Sequence, residues 1–422
     1  MLDIQFIREN PDLVKKAAKD KGIPDMVDRL LKVDETRRQL IIDIEKLRKQ
    51  RNDLMRGIHG KPDPSIIKQG KKLKNLLAKI EPDLKAIEEQ YDLLMLQIPN
   101  IPDPSVPVGK DENDNVEVSQ HGQKPSFDFK PKDHIQLVKD LDLVDFDRGV
   151  KVAGFRGYYL KGDGAMLHLA VMNYALQKLV AKGFTPVIPP IITKERPFVN
   201  TAHFPWGKED VYKTYDDAEE KDERFLAGTA EIPLVSYHMD ETLREKDLPL
   251  LYAGFSPCYR REIGSYGRDT TGMYRVHEFM KIEQVILCKN DWKESQKWHE
   301  NLRSYSEEML QELGLHYRVL LMCTGDMGEP QVKKYDIETW MPSREGYGET
   351  MSDSIMGEFQ SRRANVRYQA KDGSIKYVHM LNNTALASPR ILIAILENHQ
   401  QKDGSIKIPK VLQPYMGKKV IK

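Results

Sequence analysis

The chain has 422 residues, of which 40% are hydrophobic and 31% are charged, so the composition predicts a soluble globular protein with a large core and more than one domain. Lys and Arg number 65 against 64 for Asp and Glu, which excludes an affinity for polyanions that depends on net charge. The three cysteines, Cys258, Cys288 and Cys323, have spacings that fit neither a zinc site nor a disulfide framework. Because the N-terminus also lacks a signal-peptide pattern and no apolar run is long enough to span a membrane, we expect a cytoplasmic protein.

A helical hairpin is predicted over about residues 27–98. Apolar residues recur there at alternating steps of four and three, which is the heptad pattern of a coiled coil. Its first half comprises Leu30, Val33, Leu40, Ile44, Leu47 and Leu54, with Arg37 and Arg51 at the two positions that the pattern skips. Its second half comprises Leu73, Leu77, Ile80, Leu84, Ile87, Tyr91, Leu94 and Ile98. Gly and Pro in residues 57–64 break the pattern, so we expect two antiparallel helices, with a kink or short interruption at Pro82.

The far end of this hairpin is basic. Residues 46–79 contain eleven Lys or Arg against only Asp53 and Asp63. Such a cluster suits contacts with the sugar-phosphate backbone of a nucleic acid, and it is equally typical of a solvated helix surface. A coiled coil alone would also suit a structural or adaptor protein, so the function depends on the rest of the chain.

A domain boundary is predicted near the Pro-, Asp- and Asn-rich residues 99–125, which gives an N-terminal helical domain over 1–105 and a second domain over 106–422. The second domain contains strand-like runs at 185–193, 249–262 and 277–288 and helical patterns at 164–182, 292–313 and 389–400. Because the strands are irregularly spaced, we expect an α+β domain with a mainly antiparallel sheet.

The chain contains neither a P-loop nor a dinucleotide-binding glycine motif, so a bound nucleotide has to be held by side chains. Residues 255–283 offer a strand that ends in Arg260, Arg261 and Glu262, a Gly-rich loop, and a returning strand with Arg275 and Phe279. Arg suits phosphate and carboxylate groups because its planar fork donates paired hydrogen bonds, and Phe279 suits stacking on an adenine.

A second anion site is predicted at the start of the apolar helix at 389–400. Pro389 suits the first turn because its missing N–H has no partner there, and the positive end of a helix favours anions. Arg390 is a poor match to the helix dipole, so its role is expected to be contact with a phosphate rather than local stability.

Three motifs of the second domain resemble those of a known enzyme family, the bacterial seryl-tRNA synthetases. They are GTAEIPL at 228–234, the spaced pattern RRExGSxGRDTxGxxRVHxF that begins at Arg260, and NNTALASPR at 382–390. Residues 183–190, 255–283 and 382–397 look like motifs 1, 2 and 3 of class II aminoacyl-tRNA synthetases. The resemblance covers essentially the full chain and implies an antiparallel sheet of six or more strands with flanking helices.

The resemblance implies an enzyme that activates L-serine with ATP to seryl-adenylate and transfers the seryl group to the 3′ end of serine tRNA, with release of AMP and pyrophosphate. It also implies Mg²⁺ as a cofactor, a cytoplasmic homodimer, and an N-terminal arm that holds the tRNA. Whether the tRNA for selenocysteine is also charged stays open at this point.

Roles for individual residues are implied by the same resemblance. Thr229 and Glu231 would hold the serine ammonium group, and Glu283 with Thr384 would contact the serine hydroxyl. Arg260, which would bridge the serine carboxylate and the α-phosphate, and Arg390, which would contact the γ-phosphate, are the expected catalytic residues. The proposed Mg²⁺ ligands are Glu349 and Ser352. The further ATP-binding residues are Arg261, Glu262, Arg275, Val276, Phe279, Thr350 and Met351.

The main alternative is a synthetase-like protein that binds tRNA or a carrier without aminoacylating it. Loss of Arg260, Glu283 or Arg390 would favour that alternative, and all three are present. An enzyme that passes an aminoacyl adenylate to another acceptor would not need the basic hairpin.

The chain departs from the family at Ile355, Met356 and Glu358, beside the expected metal site, which leaves the local packing there as a question for the structure.

Overall fold

The computed structural model describes residues 1–56, 62–214, 223–263 and 271–422. They form two compact units, Met1–Pro99 and Asn100–Lys422. Residues 57–61 of the predicted hairpin turn at 57–64, and most of the Gly-rich loop, at 264–270, lie outside the described residues. Among the helices of the described residues, none combines the length and the apolar character that crossing a bilayer requires.

The first unit is helical in the part that the structure describes. Its helices are α1 (Ile4–Glu9), α2 (Pro11–Asp20), α3 (Val27–Met55) and α4 (Pro64–Met95). Ion pairs join Arg37 to Glu88 and Arg48 to Glu81, so α3 and α4 run antiparallel, as the heptad pattern predicts. Helix α4 continues through Pro82 without interruption.

The second unit contains nine α-helices within its described residues, and the three predicted from periodicity are confirmed as α7, α10 and α12. The nine are α5 (His134–Asp140), α6 (Phe146–Ala153), α7 (Asp163–Ala181), α8 (Glu195–Asn200), α9 (Glu231–Val235), α10 (Trp292–Glu312), α11 (Phe359–Ala364), α12 (Arg390–Asn398) and α13 (Gln413–Met416). Helices α7, α10 and α12 contribute apolar side chains to one large core, which also includes the sheet residues behind the site.

The strands of the second unit include those predicted from the apolar runs. In chain order they are β1 (Val116–His121), β2 (Val144–Asp145), β3 (Tyr159–Leu160), β4 (Thr185–Val187), β5 (Ile192–Lys194), β6 (Lys213–Thr214), β7 (Arg224–Leu226), β8 (Thr242–Arg244), β9 (Leu250–Tyr259), β10 (Glu278–Cys288), β11 (Tyr317–Leu321), β12 (Lys333–Met341), β13 (Gly346–Gly357), β14 (Arg367–Gln369), β15 (Ile375–Tyr377), β16 (His379–Ala387), β17 (Ile406–Lys407) and β18 (Val420–Ile421). Eight of them form one sheet in the order β1-β11-β12-β13-β16-β10-β9-β4. Every pair in this sheet is antiparallel except β4 with β9, so the predicted α+β class is confirmed.

The alternation of side chains along β10 separates the core from the site. Ile282 belongs to the core, and the side-chain amide of Gln284 donates a hydrogen bond to Ser306 of α10, 3.2 Å away. Phe279, Lys281 and Glu283 alternate with them and therefore point to the opposite face of the sheet. That face carries the candidate site.

Candidate active site

A cavity of about 300 Å³ lies on the face of the large sheet opposite α10. Its wall contains every residue of the expected site except Arg261: Thr229, Glu231, Arg260, Glu262, Arg275, Val276, Phe279, Glu283, Glu349, Thr350, Met351, Ser352, Thr384 and Arg390. Arg261 lies apart, and its guanidinium donates to the backbone carbonyl of Glu209, 2.9 Å away. Strand pairing therefore gathers residues that are up to 161 positions apart in the chain, from Thr229 to Arg390.

Glu231 defines one end of the cavity. Its Oε1 accepts hydrogen bonds from the side-chain amides of Gln360, at 2.8 Å, and Asn382, at 2.9 Å. Burial raises the pKa of this carboxyl, against the opposing effects of the Gln360 hydrogen bond and of the positive charges of Lys281 and Arg260. A buried carboxylate with a free oxygen is a suitable acceptor for an ammonium group.

Glu283 lies in the same end of the cavity and is 2% exposed. Its Oε2 is 2.5 Å from the ammonium of Lys281 and accepts a hydrogen bond from the hydroxyl of Thr384 at 3.3 Å. Burial raises the pKa of Glu283 despite the charge of Lys281. These contacts hold the carboxylate in place, and Oε1 remains available for a small hydroxyl-bearing ligand.

Two arginines are held in the middle of the cavity by neighbouring polar groups and an aromatic ring. Arg260 donates from Nε to the carbonyl of Gly228 at 3.3 Å, and its guanidinium carbon is 5.3 Å from the centre of the Phe279 ring. Arg275 donates to the Glu262 carboxylate at 3.2 Å. Because these contacts already orient the two guanidinium groups, less side-chain entropy is lost when an anion binds.

Arg390 is the first residue of α12, with Pro389 as the N-cap. Its Nε donates to the carbonyl of Tyr274 at 3.1 Å, and Nη1 donates to the backbone and side-chain oxygens of Glu349 at 3.1 and 3.3 Å. Burial would lower the pKa of Arg390, but the interactions with Glu349, Tyr274 and Glu262 together outweigh it and raise that pKa. The arginine therefore stays charged at the positive end of a helix, where a bound anion would be stabilised by both.

Glu349 and Ser352 of β13 are candidate ligands for a divalent cation. Ser352 lies opposite Asp336 of β12, whose Oδ1 is buried without a hydrogen-bond partner. Carboxylate and hydroxyl oxygens suit Mg²⁺, which takes its other ligands from water and phosphate, so these residues fit the ion. Within the described residues, no group of three or more His, Cys, Asp or Glu is placed to hold a metal. Oxygen atoms of a substrate would have to complete the coordination.

A partly buried network outside the cavity holds the returning end of the Gly-rich loop. The backbone N–H of Met273 donates to Nε2 of His134 at 3.3 Å, so Nε2 must be the unprotonated ring nitrogen. Nδ1 then donates to Glu397 at 3.0 Å, and Glu397 also accepts bonds from Ser343. Gly272 has a φ of +77° and lies so close to the His134 ring that a Cβ would collide with it. This network positions Tyr274, which contacts Arg390.

Sequence reasoning missed several residues of the cavity wall, namely His203, Tyr274, Lys281, Gln331, Lys334 and Asn382. Lys281 and Asn382 could have been found, because they stand two residues before Glu283 and Thr384 and strand side chains repeat with a period of two. The others enter the wall through long-range packing, for which the local sequence has no signal.

The departures from the family are accommodated by packing and by polar contacts. Ile355 belongs to the main core, and Met356 lines the cavity. Glu358 forms an ion pair with Arg362 at 2.7 Å and accepts a hydrogen bond from Asn290 at 2.8 Å. These positions therefore leave no buried charge unpaired beside the candidate metal ligands.

Two family models match the chain. Residues 1–102 match the seryl-tRNA synthetase N-terminal domain, and residues 212–399 match the tRNA synthetase class II core domain (G, H, P, S and T). The serine–tRNA ligase of Deinococcus radiodurans is 46% identical over 420 residues, which cover 99% of this chain and 98% of that protein.

Solved structures give the same family. The seryl-tRNA synthetase of Pyrococcus horikoshii complexed with ATP has a TM-score of 0.91 and 40% identity, and the match covers 100% of this chain and 99% of that one. The cytoplasmic serine–tRNA ligase of Naegleria fowleri in complex with AMP has a TM-score of 0.88 and 31% identity, with the same coverage. The chain therefore belongs to the seryl-tRNA synthetase family and is a class II aminoacyl-tRNA synthetase.

Proposed function

We propose that this chain activates L-serine with ATP to seryl-adenylate and transfers the seryl group to the 3′ end of serine tRNA, releasing pyrophosphate and AMP. The observation that carries the proposal is the arrangement of charge within one cavity. The carboxylates and guanidinium groups concerned line the same cavity: Glu231, Glu283, Arg260, Arg275 and Arg390. The buried carboxylates of Glu231 and Glu283 interact electrostatically with each other and with Arg260. Arg260 interacts in turn with Glu349, which is the ion-pair partner of Arg390. This order matches an amino acid placed against the triphosphate of a nucleotide.

In the first reaction, an oxygen of the serine carboxylate attacks the α-phosphorus of ATP, and the bond from that phosphorus to pyrophosphate breaks. Arg260 binds the serine carboxylate and the α-phosphate, so it brings the reacting groups together and stabilises the growing charge on the phosphoryl oxygens. Arg390 binds the γ-phosphate of the leaving pyrophosphate. Phe279 supports the adenine, Arg275 and Glu262 contact the nucleotide, and Val276, Thr350 and Met351 complete its wall.

Glu349 and Ser352 hold Mg²⁺ in this proposal. Bound Mg²⁺ supplies positive charge that neutralises the phosphates during the displacement. Arg390 donates to the same Glu349 carboxylate, so this residue links the cation site to the γ-phosphate site.

Selection of serine rests on polar contacts at the carboxylate end. Glu231 and Thr229 accept the ammonium group, and Glu283 with Thr384 contacts the hydroxyl. When alanine enters, the buried polar groups lose their partner, and a site of this kind discriminates by about 10⁴-fold or more. Threonine is excluded by size, which is a weaker selection because one methyl group changes binding by only about 1–3 kcal/mol.

In the second reaction, a hydroxyl of the terminal ribose of the tRNA attacks the carbonyl carbon of the adenylate, and AMP leaves. The N-terminal helical domain, 1–105, is the tRNA-binding arm. The support for this is the basic surface of α4, where Lys68, Lys71, Lys72 and Lys79 line a shallow groove that suits phosphate contacts. The catalytic domain is 106–422.

The chain acts as a cytoplasmic homodimer in this proposal. Motif 1, at 183–190, and the preceding helix α7 would supply the contact surface. The apolar side chains of Met166, Leu169 and Ile188 are 45%, 48% and 80% exposed in the single chain, which is the kind of surface that a second copy would cover. A molar mass near twice 48.7 kDa in sedimentation equilibrium supports the dimer, and the monomer mass contradicts it.

The deciding experiment is ATP–pyrophosphate exchange with each of the twenty amino acids, followed by charging of total tRNA with the best one. Exchange with serine and charging of serine tRNA are expected, and separate assays with purified tRNAs test the tRNA for selenocysteine. Exchange with serine but no charging of any tRNA would contradict the transfer reaction. No exchange with any amino acid would contradict the activation reaction.

The arm is tested by replacing residues 45–80 with a short Gly-Ser turn. We expect charging of serine tRNA to be lost while serine-dependent exchange stays within about threefold of the wild type, because the arm supplies phosphate contacts and no residue of the cavity. Equal loss of both activities would refute this separation. As a milder variant that retains both helices, Lys68, Lys71 and Lys72 changed to Gln should weaken charging without affecting exchange.

A further inference from the structure

Lys334 is a partly buried cation in the cavity to which neither the sequence motifs nor the mechanism above assigns a role. It lies on β12, directly opposite Ser354 of β13, and the neighbouring pair is Asp336 with Ser352. Residues paired across antiparallel strands point to the same face, so Lys334, Asp336 and Ser352 share one face of the sheet. This is the face that forms the cavity wall, and Lys334 is part of that wall together with Glu349.

The ammonium of Lys334 has capacity to bind a ligand. Its Nζ is 2.9 Å from Oδ2 of Asp336, and the side chain is 16% exposed. Asp336 is its one hydrogen-bonding partner within the described residues. A lysine ammonium has three N–H donors, so two of them remain for an anion in the cavity.

The charges around Lys334 place it at the phosphate end of the cavity. Burial would lower the pKa of Lys334, but the charges of Asp336, Glu349 and Asp326 and the hydrogen bond to Asp336 together outweigh it, so the ammonium stays charged. Arg390 and Lys334 are the two largest opposing charges that act on Glu349. Glu349, the proposed cation ligand, therefore interacts with two positive charges, that of Arg390 on α12 and that of Lys334 on β12.

We infer that Lys334 binds the β- and γ-phosphate oxygens of ATP and the pyrophosphate that leaves, beside the site of Glu349 and Ser352. The inference rests on the proposed function, in which this end of the cavity takes the triphosphate. A compact ammonium suits phosphate oxygens as a point charge, and here it adds to the fork of Arg390. Lys334 is thus a further catalytic residue, since the leaving group carries the charge that develops in the reaction.

The test compares ligands that possess or lack the outer phosphates. In Lys334→Met, inorganic pyrophosphate and a nonhydrolysable ATP analogue should each bind about tenfold more weakly in calorimetry at fixed Mg²⁺, as expected for one lost charge-assisted hydrogen bond. AMP, which lacks both phosphates, should bind with unchanged affinity, and the KM for serine in exchange should not change. Lys333→Met is the matched control, because Lys333 lies over the Tyr335 ring, 4.9 Å from its centre, and is not part of the cavity wall.

A double variant separates phosphate binding from mere neutralisation of Asp336. If Lys334 only neutralises Asp336, Lys334→Met combined with Asp336→Asn should restore pyrophosphate affinity to that of Asp336→Asn alone. We expect the double variant to remain about tenfold weaker than Asp336→Asn, because a direct contact is missing in both backgrounds. Restoration would overturn the inference.

Other outcomes are equally decisive. Unchanged pyrophosphate affinity in Lys334→Met, or an equal loss for AMP and the ATP analogue, would overturn the role of Lys334. Absence of serine-dependent exchange in the wild type would instead overturn the proposed function. Pyrophosphate binding, which needs no amino acid, would still show whether Lys334 contacts an anion.

Discussion

The proposed amino-acid end and the proposed phosphate end of the cavity present groups of opposite charge, and both hold these groups with polar contacts. At the amino-acid end, Glu231 and Glu283 are held by amides, a hydroxyl and one lysine. At the phosphate end, Arg275 and Arg390 are held by carboxylates and carbonyls. In each case the group that faces the substrate already has a protein partner, so its orientation is set before the substrate arrives.

The two ends differ in how stable their charged side chains are when no ligand is bound. The buried carboxylates have a raised pKa, which means that burial disfavours their charged form until a cation or donor binds. Arg390 has a raised pKa because its interactions with Glu349, Tyr274 and Glu262 together outweigh burial, so its charged form is stable without a ligand. Serine recognition should therefore depend steeply on small polar changes, whereas nucleotide binding should be spread over several cations.

The largest effect is expected for Arg260, whose charge acts on Glu231 at one end and on Glu349 at the other. Arg260→Gln should lower kcat of ATP–pyrophosphate exchange by about 10³-fold, because the group that joins the two substrates loses its charge. Arg260→Lys should recover only a small part, since an ammonium cannot bind bidentately. A change confined to the KM of one substrate would contradict the bridging role.

The next effect should be confined to the amino-acid end. Glu283→Ala should raise the KM for serine about 100-fold and leave the KM for ATP within about threefold, because it removes the hydroxyl acceptor and leaves Lys281 buried without its carboxylate. Glu278→Ala removes an acid from the opposite face of the same strand and serves as the control. An unchanged serine dependence would place Glu283 outside the pocket.

The pH dependence of serine binding should report Glu231. Burial raises the pKa of its carboxyl, and only the ionised form binds the ammonium, so the KM for serine should rise as the pH falls through that raised pKa. Well below it, the rise should approach about tenfold per pH unit. In Glu231→Gln the KM for serine should be high at every pH. Its increase at low pH should be smaller than in the wild type, because the contribution of Glu231 is missing. An identical acid limb in the variant would assign the titration to another group.

The smallest effect is expected for His134, which lies outside the cavity. A change there should weaken ATP binding and leave serine binding unchanged. His134→Phe removes the acceptor of the Met273 N–H and keeps the ring volume, so the KM for ATP should rise by about fivefold, the cost of one hydrogen bond, with the KM for serine unchanged. His134→Gln offers an amide acceptor and donor and should restore part of the affinity. Equal changes in both KM values would point to general destabilisation.

Much of the fold follows from local sequence patterns, and most of the cavity wall follows from the resemblance to a known family. The heptads predict α3 and α4, the apolar runs predict β9 and β10, and periodicity predicts α7, α10 and α12. The resemblance to a known family, and not periodicity, names the expected site residues, and all of them except Arg261 line the cavity. Local patterns succeed here because helix and strand periods are properties of consecutive residues.

Tertiary structure alone decided which groups hold these residues and which further groups join them. Asn382 reaches Glu231 across 151 positions, and Glu397 reaches His134 across 263. The orientation of Arg261 away from the cavity and the entry of Lys334 into it depend on how chain segments pack and on the register of β12 with β13. Such contacts form between segments that are distant in the chain, and no local pattern of residues records them.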